Sequence, residues 1–326
     1  MSRPLPLDRL RALRLVGQLL AASAAGPRGS VGAGAVGVAS HMLATQAQQR
    51  TAAINAIDLR NGSAGAAEAL ASSQLIRSWS QRGTHQLLAA CDVRWMTLLC
   101  SPRVLAASAK RRPALGLDDA AVDRARDALF AACTEPVTRD TAYGLFASVG
   151  VDPQGGRGQH LLRHFGGEGE IVQGPPVGGG DTFVLLDAIA PGQHDLHGDA
   201  ALQEVTGRYL GSRGAAGVKD LQWWTGLTVR EVRRGLSIIE SAGEAHRVDG
   251  PSGEQLWIPA WAEDVSAAEV EAALGREITL PAFDEYLLSY SDRSHVMDPA
   301  HQFSIGPGRN GIFKPFRVVR GEALPL

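Results

Sequence analysis

The chain has 326 residues and a formal net charge of -2, from 32 Lys and Arg against 34 Asp and Glu, and 44% of its residues are hydrophobic. This length accommodates two or three domains with a sizeable core, and the composition is that of a soluble globular protein. The nearly neutral charge excludes a basic field over the whole molecule. A nucleic-acid partner would therefore have to be bound by local clusters, such as Arg103, Lys110, Arg111 and Arg112.

Metal, cofactor and membrane classes are not expected. The three cysteines, Cys91, Cys100 and Cys133, have neither CxxC spacing nor a histidine at a zinc-finger interval. Residues 32–37 fit the GxGxxG pattern, but a helical segment precedes them where the nucleotide fingerprint requires a strand. No apolar stretch approaches the length of a membrane span. We expect a cytoplasmic protein that uses no cofactor and no metal.

The first 115 residues begin with helical patterns. Apolar residues recur at helical spacing near the N-terminus, at Leu7, Leu10, Leu13 and Val16. The predicted elements are a helix over residues 5–24, a helix from about Ala35 to the polar string 45–50, a helix over 66–80 and a strand over 84–88. This segment is the least regular part of the chain.

Residues 116–197 have a clearer order of elements. A helix over 118–132 opens with paired acids, which suit the positive end of its dipole. Thr138 is predicted to cap a short helix that ends near Phe146, and a third helix contains residues 159–165. Two strands follow, over 170–173 and 182–187, separated by a Gly/Pro-rich turn.

Residues 198–264 repeat that order. The predicted helices cover residues 200–210, 218–224 and 229–241, and the predicted strands cover 245–248 and 255–258 around Asp249-Gly250-Pro251. Three helices followed by two strands around a turn are typical of a winged helix, which usually binds duplex DNA. We therefore predict an α+β protein with three tandem winged helices: a divergent one in 1–115, a second in 116–197 and a third in 198–264.

The sequence pattern changes within residues 265–326. From Leu280 onward, apolar residues alternate with polar ones, and Pro and Gly are frequent. This pattern predicts a small β-rich C-terminal region. Within it, 303–305 and 312–313 flank a glycine-rich turn and are predicted to form a β-hairpin. Its tip carries Arg309 and Asn310, which we expect to contact the minor groove; the alternative is a surface loop.

Several arginines fall on or beside the third helices of the two clearer repeats, where a recognition helix would present them to phosphates. These are Arg157, Arg163, Arg230, Arg233 and Arg234. For each arginine alone, a solvated helix face is the favoured interpretation. As a set they favour contact with DNA.

The chain resembles the AlkZ/YcaQ-type winged-helix DNA glycosylases over nearly its whole length. The resemblance rests on several separate motifs, which follow one another in the same order as in that family. The matching stretches are Gln46-Ala47-Gln48, Arg82-Gly83-Thr84, Asp92-Val93-Arg94-Trp95, Arg208-Tyr209-Leu210, Arg213-Gly214, Asp220 through Leu227, Leu280-Pro281, Asp284-Glu285-Tyr286 and Asp292-Arg293-Ser294. The resemblance implies a concave cradle for double-stranded DNA and excision of bulky alkylated purines, including crosslinks made by genotoxic natural products. It also implies that Gln46 and Gln48 are catalytic, and we add Arg82 to the expected DNA contacts.

Two departures from the family pattern bear on that inference. Family members usually carry an apolar residue and then His after Arg-Gly-Thr, whereas this chain reads His85-Gln86. The chain also ends at Leu326, where family members typically continue through further barrel strands, so the barrel is predicted to be incomplete. The alternative function is a non-catalytic winged-helix regulator or a binder of drug adducts. A monomer acting near the nucleoid is expected in either case.

The chemistry sets one structural condition. Residues i and i+2 point about 200° apart on a helix but to the same side of an extended segment. If Gln46 and Gln48 act together, the helix before them must end near Thr45. Glutamine is a weak base, so such a site would act on cationic bases, which leave readily, and fail on undamaged ones.

Overall fold

The chain forms two compact units in the computed structural model, which describes residues 4–308 and 310–326. One unit combines the N-terminal residues up to Ala66 with His197–Leu326, and the other is Ala67–Leu196. The predicted N-terminal segment 1–115 is thus distributed over both units. No helix of the described residues is long and apolar enough to cross a membrane.

The N-terminal part of the first unit contains α1 (Leu7–Gly17), α2 (Gly34–Met42), β1 (Thr45–Gln46) and α3 (Arg50–Asn61). The helical spacing of α1 is confirmed, since its Leu10, Leu13 and Val16 are buried. They share one hydrophobic core with C-terminal residues of the same unit, including Tyr286 and Phe316. The apolar stripe of α1 therefore joins the two ends of the chain into one unit.

The second unit begins with α4 (Ala66–Ala71), β2 (Leu75–Gln81), β3 (Thr84–Ala89), α5 (Val93–Cys100) and α6 (Pro102–Ala109). The strand predicted over 84–88 is confirmed, whereas the helix predicted over 66–80 is wrong beyond Ala71. The reason lies in burial. Every residue of β2 is buried, so the strand lacks the apolar–polar alternation by which a half-exposed strand is recognised.

The rest of this unit contains α7 (Asp119–Ala132), β4 (Val137–Thr138), α8 (Arg139–Ser148), α9 (Arg157–Gly167), β5 (Ile171–Val177), β6 (Gly180–Leu185) and α10 (Leu186–Ile189). Asp118 and Thr138 cap α7 and α8 by accepting bonds from the backbone, as their side chains predict. Within the unit the strands follow the order β3-β2-β5-β6-β4. The predicted order of helices and strands is confirmed.

The C-terminal part of the first unit repeats this order with α11 (Gly198–Arg213), α12 (Val218–Thr225), α13 (Val229–Ser241), β7 (Ala245–Asp249) and β8 (Gln255–Pro259). The bounds of α13 agree with the prediction to the residue. Its start is fixed by a capping box, in which Thr228 and Glu231 satisfy each other's backbone N–H groups. Ala216 forms an isolated antiparallel bridge with Trp257 of β8.

The remaining elements are α14 (Ala267–Leu274), β9 (Glu277–Leu280), α15 (Glu285–Leu288), α16 (Gln302–Ile305), β10 (Phe316–Val319) and β11 (Glu322–Pro325). The three strands form an antiparallel sheet in the order β11-β10-β9. Residues 4–308 and 310–326 contain no closed barrel, and the predicted incomplete barrel is not confirmed. Between β9 and β10 the described chain forms two short α-helices and a 3-10 turn.

Candidate active site

The Gln46-Ala47-Gln48 segment lies between two helices of the first unit. α2 ends at Met42, and Leu43 follows with a φ of 62°. The chain is extended at Thr45–Gln46 and enters α3 only at Arg50. The condition that the helix end before the glutamines is met. Gln46 is buried at 6% exposure, whereas Gln48 is exposed.

A buried ion pair lies beside this segment. Arg213, at the end of α11, and Glu285, at the start of α15, are fully buried and 3.2 Å apart between Nη2 and Oε2. Glu285 Oε1 accepts a 2.9 Å hydrogen bond from the backbone N–H of Gln46. Arg213 donates to the carbonyl oxygens of Met42 and Ala44, at 2.5 and 3.2 Å. Both charges therefore bind the backbone that leads into the glutamine motif.

Polar and aromatic side chains hold the pair in place. Glu285 Oε2 accepts bonds from Trp224 Nε1 at 2.9 Å and from the Ser289 hydroxyl at 2.6 Å. The Arg213 guanidinium lies 4.5 Å from the centroid of the Trp224 ring, and its Nε donates to Ser289 Oγ. A buried charge is tolerated when it is paired and hydrogen-bonded, as it is here.

A second buried ion pair lies in the same unit. Arg60 binds Asp284 through two bonds, Nη1 to Oδ2 at 2.9 Å and Nη2 to Oδ1 at 2.8 Å. Its other contacts are the Ala56 carbonyl and the Gln18 side chain. This pair thus ties α3 to the start of α15 and to the residue after α1.

His41 stands in the last turn of α2, next to the motif segment. Its Nε2 lies 2.7 Å from the carbonyl oxygen of Gly17. Burial lowers the pKa of His41 to about 4, partly offset by that hydrogen bond, and the charges of Arg213, Arg208 and Arg60 lower it further. His41 is therefore neutral at pH 7.

The second unit concentrates positive charge around α9. Arg111, Arg112, His160 and Arg163 interact there, and we call them the basic cluster. Burial and then Arg112, Arg111 and Arg163 lower the pKa of His160, and burial and then Arg111 lower the pKa of Arg163. Such mutual repulsion is relieved when an anion binds.

The predicted DNA contact Arg82 lies beside this cluster. Arg82 and Gly83 both have positive φ, 52° and 63°, and form the two-residue turn between β2 and β3. Arg163 packs against the turn so closely that a Cβ on Gly83 would lie 1.9 Å from its Nη2. The turn and α9 thus bring Arg82 and Arg163 together, although they are far apart in sequence.

The other arginines predicted to contact DNA differ in their ion pairs, hydrogen bonds and exposure. Arg157 is tied into its own unit, because it donates to the Leu115 and Gln154 carbonyls and pairs with Asp152. On α13, Arg234 pairs with Asp199 in two bonds, while Arg230 and Arg233 are exposed. Arg230 and Arg233 are therefore the more accessible candidates on that helix.

The predicted hairpin tip is described only in part. Arg309 lies outside the described residues, and Asn310 is exposed in a turn. The hairpin itself is wrong, since Phe303–Ile305 lies in α16 rather than in a strand. Asp298 caps a short helical turn that begins at Pro299 and leads into α16, and this start commits the following residues to helix.

The departure at His85-Gln86 has a structural outcome. His85 is held by Arg77 and Gln173 and packs on Trp79, with 4.4 Å between ring centroids. Burial, and secondarily Arg77, lower its pKa to about 3. Gln86, two residues after Thr84, donates to the Thr84 hydroxyl. His85 is therefore a neutral, half-buried partner of the strand network.

One group of described residues has the ligand types of a zinc site. Cys91, Asp92 and His194 bring their ligand atoms within 4.8 Å of one another. Asp92 Oδ1 also accepts a bond from Trp95 Nε1, and it lies 3.1 Å from His194 Nδ1. Sequence spacing did not connect His194 with Cys91, whereas the fold does. The hydrogen bonds of Asp92 account for this arrangement without an ion.

Sequence reasoning missed the roles of Arg213 and Glu285. Both stand in stretches that carried the family resemblance, but no role was assigned to either. The available signal was a pair of acidic residues, Asp284 and Glu285, between the apolar Phe283 and the run Tyr286–Leu288. A residue of this kind is seldom fully buried unless it is paired.

Comparison with known proteins identifies the family of the chain. The model of the AlkZ-like DNA glycosylase family matches residues 39–324, so the chain belongs to that family and the predicted resemblance is confirmed. The DNA glycosylase AlkZ of Streptomyces sahachiroi has a similar fold, with a TM-score of 0.79 and 20% sequence identity over 99% of this chain and 87% of that one. No curated protein matches the chain.

Proposed function

We propose that this protein hydrolyses the N-glycosidic bond of bulky, cationic alkylpurines of the N7-alkylguanine type in duplex DNA. The observation that carries the proposal is the Gln46–Gln48 segment, which is non-helical, anchored on a buried ion pair and exposed at Gln48. It occurs in a member of the AlkZ-like DNA glycosylase family. We assign the catalytic role to Gln46 and Gln48.

The reaction needs little acid–base strength. Alkylation at N7 makes the base cationic, so breaking the bond between the sugar C1′ and the base nitrogen returns the electron pair to the base, which leaves neutral. Water then adds to C1′ and releases a proton to solvent. A glutamine carbonyl can accept a hydrogen bond from that water and direct its dipole toward the developing positive charge on the sugar. The products are the free alkylpurine and an abasic site.

The same weakness accounts for selectivity. An undamaged purine leaves as an anion unless an acid protonates it, and glutamine is neither a useful acid nor a strong base. The site therefore favours lesions that carry their own positive charge. When an interstrand crosslink joins the N7 atoms of two purines on opposite strands, each of these purines carries the same charge. We therefore include interstrand crosslinks among the substrates. Excision of such adducts would give a producing cell resistance to its own genotoxic product.

Two groups of cations are proposed to contact phosphates. The repeated order of helices and strands in 116–197 and 198–264 supports winged helices whose third helices, α9 and α13, face DNA. On α13 the contacts are Arg230, Arg233 and Arg234. In the other repeat they are Arg82, Arg157 and Arg163, together with the rest of the basic cluster. Arg309 and Asn310 complete the proposed set, and the protein acts as a monomer.

The proposal is tested on a duplex that carries a single N7-alkylguanine adduct. The purified protein should release the free base and leave an abasic site, detected as strand breakage after alkali treatment. A duplex of the same sequence without the adduct should remain intact. If the adducted duplex is bound but stays as stable as it is without protein, a non-catalytic adduct binder or regulator is the correct function.

A further inference from the structure

Three backbone groups of the segment before the motif face one ion pair. They are the carbonyls of Met42 and Ala44, which accept from Arg213, and the N–H of Gln46, which donates to Glu285. We propose that Arg213 and Glu285 are positioning residues, which hold the turn at Leu43 and the short strand Thr45–Gln46 in place and thereby set the placement of both glutamines. This inference rests on the proposed function for its catalytic consequence, but its structural part stands separately.

The spacing of the three groups supports the proposal. They belong to residues i, i+2 and i+4, on both sides of the turn in which the Ala44 N–H returns to the Met42 carbonyl. Arg213 spans the first two through Nη1 and Nη2, and Glu285 takes the third through Oε1. The ion pair thus binds the backbone both at the end of α2 and in β1.

The segment needs such support because its own conformation is unfavourable. Leu43 is a bulky residue with a φ of 62°, and the Ala44 N–H turns back to the Met42 carbonyl at 2.7 Å. A non-glycine residue in this region costs on the order of 1–3 kcal/mol and persists where the surrounding structure fixes it. Leu43 is fully buried, so its side chain and the ion pair together fix the turn.

The two oxygens of Glu285 have separate tasks. Oε2 accepts from Arg213, Trp224 and Ser289, which lock the carboxylate to the scaffold. Oε1 is turned to the Gln46 N–H. All of these groups donate to Glu285, and a carboxylate accepts at both of its oxygens, whereas a glutamine amide accepts at only one.

This asymmetry identifies the informative variant. In Glu285→Gln the amide oxygen is expected to remain with the several donors at the Oε2 position, because that side carries more bonds. The NH2 group then faces the Gln46 N–H, and donor meets donor. The variant should release Gln46 while keeping the size and shape of the side chain.

A matched control lies one residue away. Asp284→Asn weakens a second buried ion pair of the unit, which is as deeply buried and is joined by two hydrogen bonds. The bonds of Arg60 and Asp284 reach Ala56, Gln18 and Tyr286 rather than residues 42–46. Both variants lose stability for the same reason, so a difference between them reports on the motif segment.

The experiment measures hydrogen exchange of the amides in residues 43–48, together with single-turnover excision and DNA affinity. For Glu285→Gln we expect exchange in this segment to accelerate at least tenfold beyond the change in global stability. Excision should slow at least tenfold, while the Kd for adducted DNA changes less than threefold. Asp284→Asn should leave both exchange in the segment and the excision rate constant within threefold of the wild type.

Equal effects of the two variants on exchange would overturn the positioning role. If Glu285→Gln does not fold, Arg213→Lys replaces it, since Lys keeps the charge but a single ammonium cannot span both carbonyls; unchanged exchange there would equally overturn the role. The two proposals remain distinguishable. A wild-type protein that excises nothing defeats the proposed function, whereas the exchange result still decides whether Arg213 and Glu285 fix the segment.

Discussion

Gln46 and Gln48 differ in their surroundings although they share one motif. The backbone of Gln46 is anchored to Glu285 and its residue is 6% exposed, whereas Gln48 is exposed. In the proposed mechanism an approaching sugar meets Gln48 directly, and Gln46 lies at the interior edge of the site. This arrangement is consistent with one glutamine oriented by the protein and a second that is accessible to water and DNA.

Each glutamine is expected to contribute to the chemical step. Gln46→Ala and Gln48→Ala should each lower the single-turnover excision rate at least about tenfold, which equals about 1.4 kcal/mol of transition-state stabilisation. Affinity for adducted DNA should change little, because the glutamines do not neutralise phosphates. Gln49→Ala is the matched control, since Gln49 is exposed next to the motif. Full activity of the Gln46→Ala, Gln48→Ala double variant would remove both residues from the mechanism.

At the scale of elements, α1 and α11 approach each other closely enough to require glycine. A Cβ on Gly214, directly after α11, would lie 2.5 Å from the Leu13 carbonyl oxygen in α1, and Gly214 has a φ of 72°. Gly17 of α1 meets the same crossing, because its Cβ would lie 2.9 Å from the Gly214 nitrogen. Gly214 also follows Arg213, so this crossing bears on the position of the buried ion pair.

Gly214→Ala should therefore destabilise the protein by at least about 2 kcal/mol, because backbone atoms must move and the conformation disfavours a side chain. Thermal unfolding measures the effect. Gly211→Ala, within α11, has nothing within 4 Å of the added Cβ, and it should be neutral or stabilising by up to about 1 kcal/mol. A Gly214→Ala variant as stable as Gly211→Ala would contradict the close crossing.

The exposed arginines of α13 give a second prediction at this scale. Replacing Arg230 and Arg233 together with Gln should weaken binding to duplex DNA and lower the slope of log K against log salt by about 2, one for each phosphate contact. Folding should be unaffected, since both side chains are exposed. Arg276→Gln, at an exposed site outside α13, controls for the change in net charge. An unchanged slope would place α13 away from the DNA.

At the scale of the whole molecule, a net charge of -2 limits the electrostatic contribution to DNA affinity. Only local groups of arginines are available, so affinity for undamaged duplex should be weak and its salt dependence modest. Titrations between low and physiological salt measure the slope. A steep slope corresponding to about ten released counterions would show a much larger basic surface than this interpretation allows.

Stability should also depend on pH, because several histidines are kept neutral. Burial lowers the pKa of His41 to about 4, of His164 to about 4 and of His85 to about 3, from 6.5. Between pH 6.5 and 4 the unfolded chain binds protons that the folded chain does not, so stability falls as pH falls through this window. His41 alone accounts for about 2–3 kcal/mol of that loss.

Urea unfolding at pH 7 and pH 5 tests this pH dependence. His41→Gln should flatten it, because the variant lacks an imidazole that is protonated in the unfolded but not the folded chain over this range. The comparison concerns the difference between the two pH values, so a constant loss of stability in the variant does not affect it. An equally steep dependence in His41→Gln would contradict a neutral His41.

The sequence by itself determined the local elements and the family. Capping residues such as Thr228, helical spacing and Gly/Pro turns act within a few residues, so α13 and the repeated order of helices and strands could be predicted. The glutamine motif and its company of short stretches pointed to the family that the comparison confirms. The end of α2 before the motif could be stated as a condition, because side chains i and i+2 point to the same side only in an extended segment.

Tertiary structure decided what holds the motif. Glu285 meets Gln46 across 239 positions of sequence and Arg213 reaches Met42 across 171, and no local pattern encodes such pairs. Tertiary packing also turned residues 75–81 into a strand buried throughout, and gave helices where a barrel hairpin was predicted. Periodicity shows which face of an element is apolar, but the partner of a buried charge depends on which distant elements the core brings together.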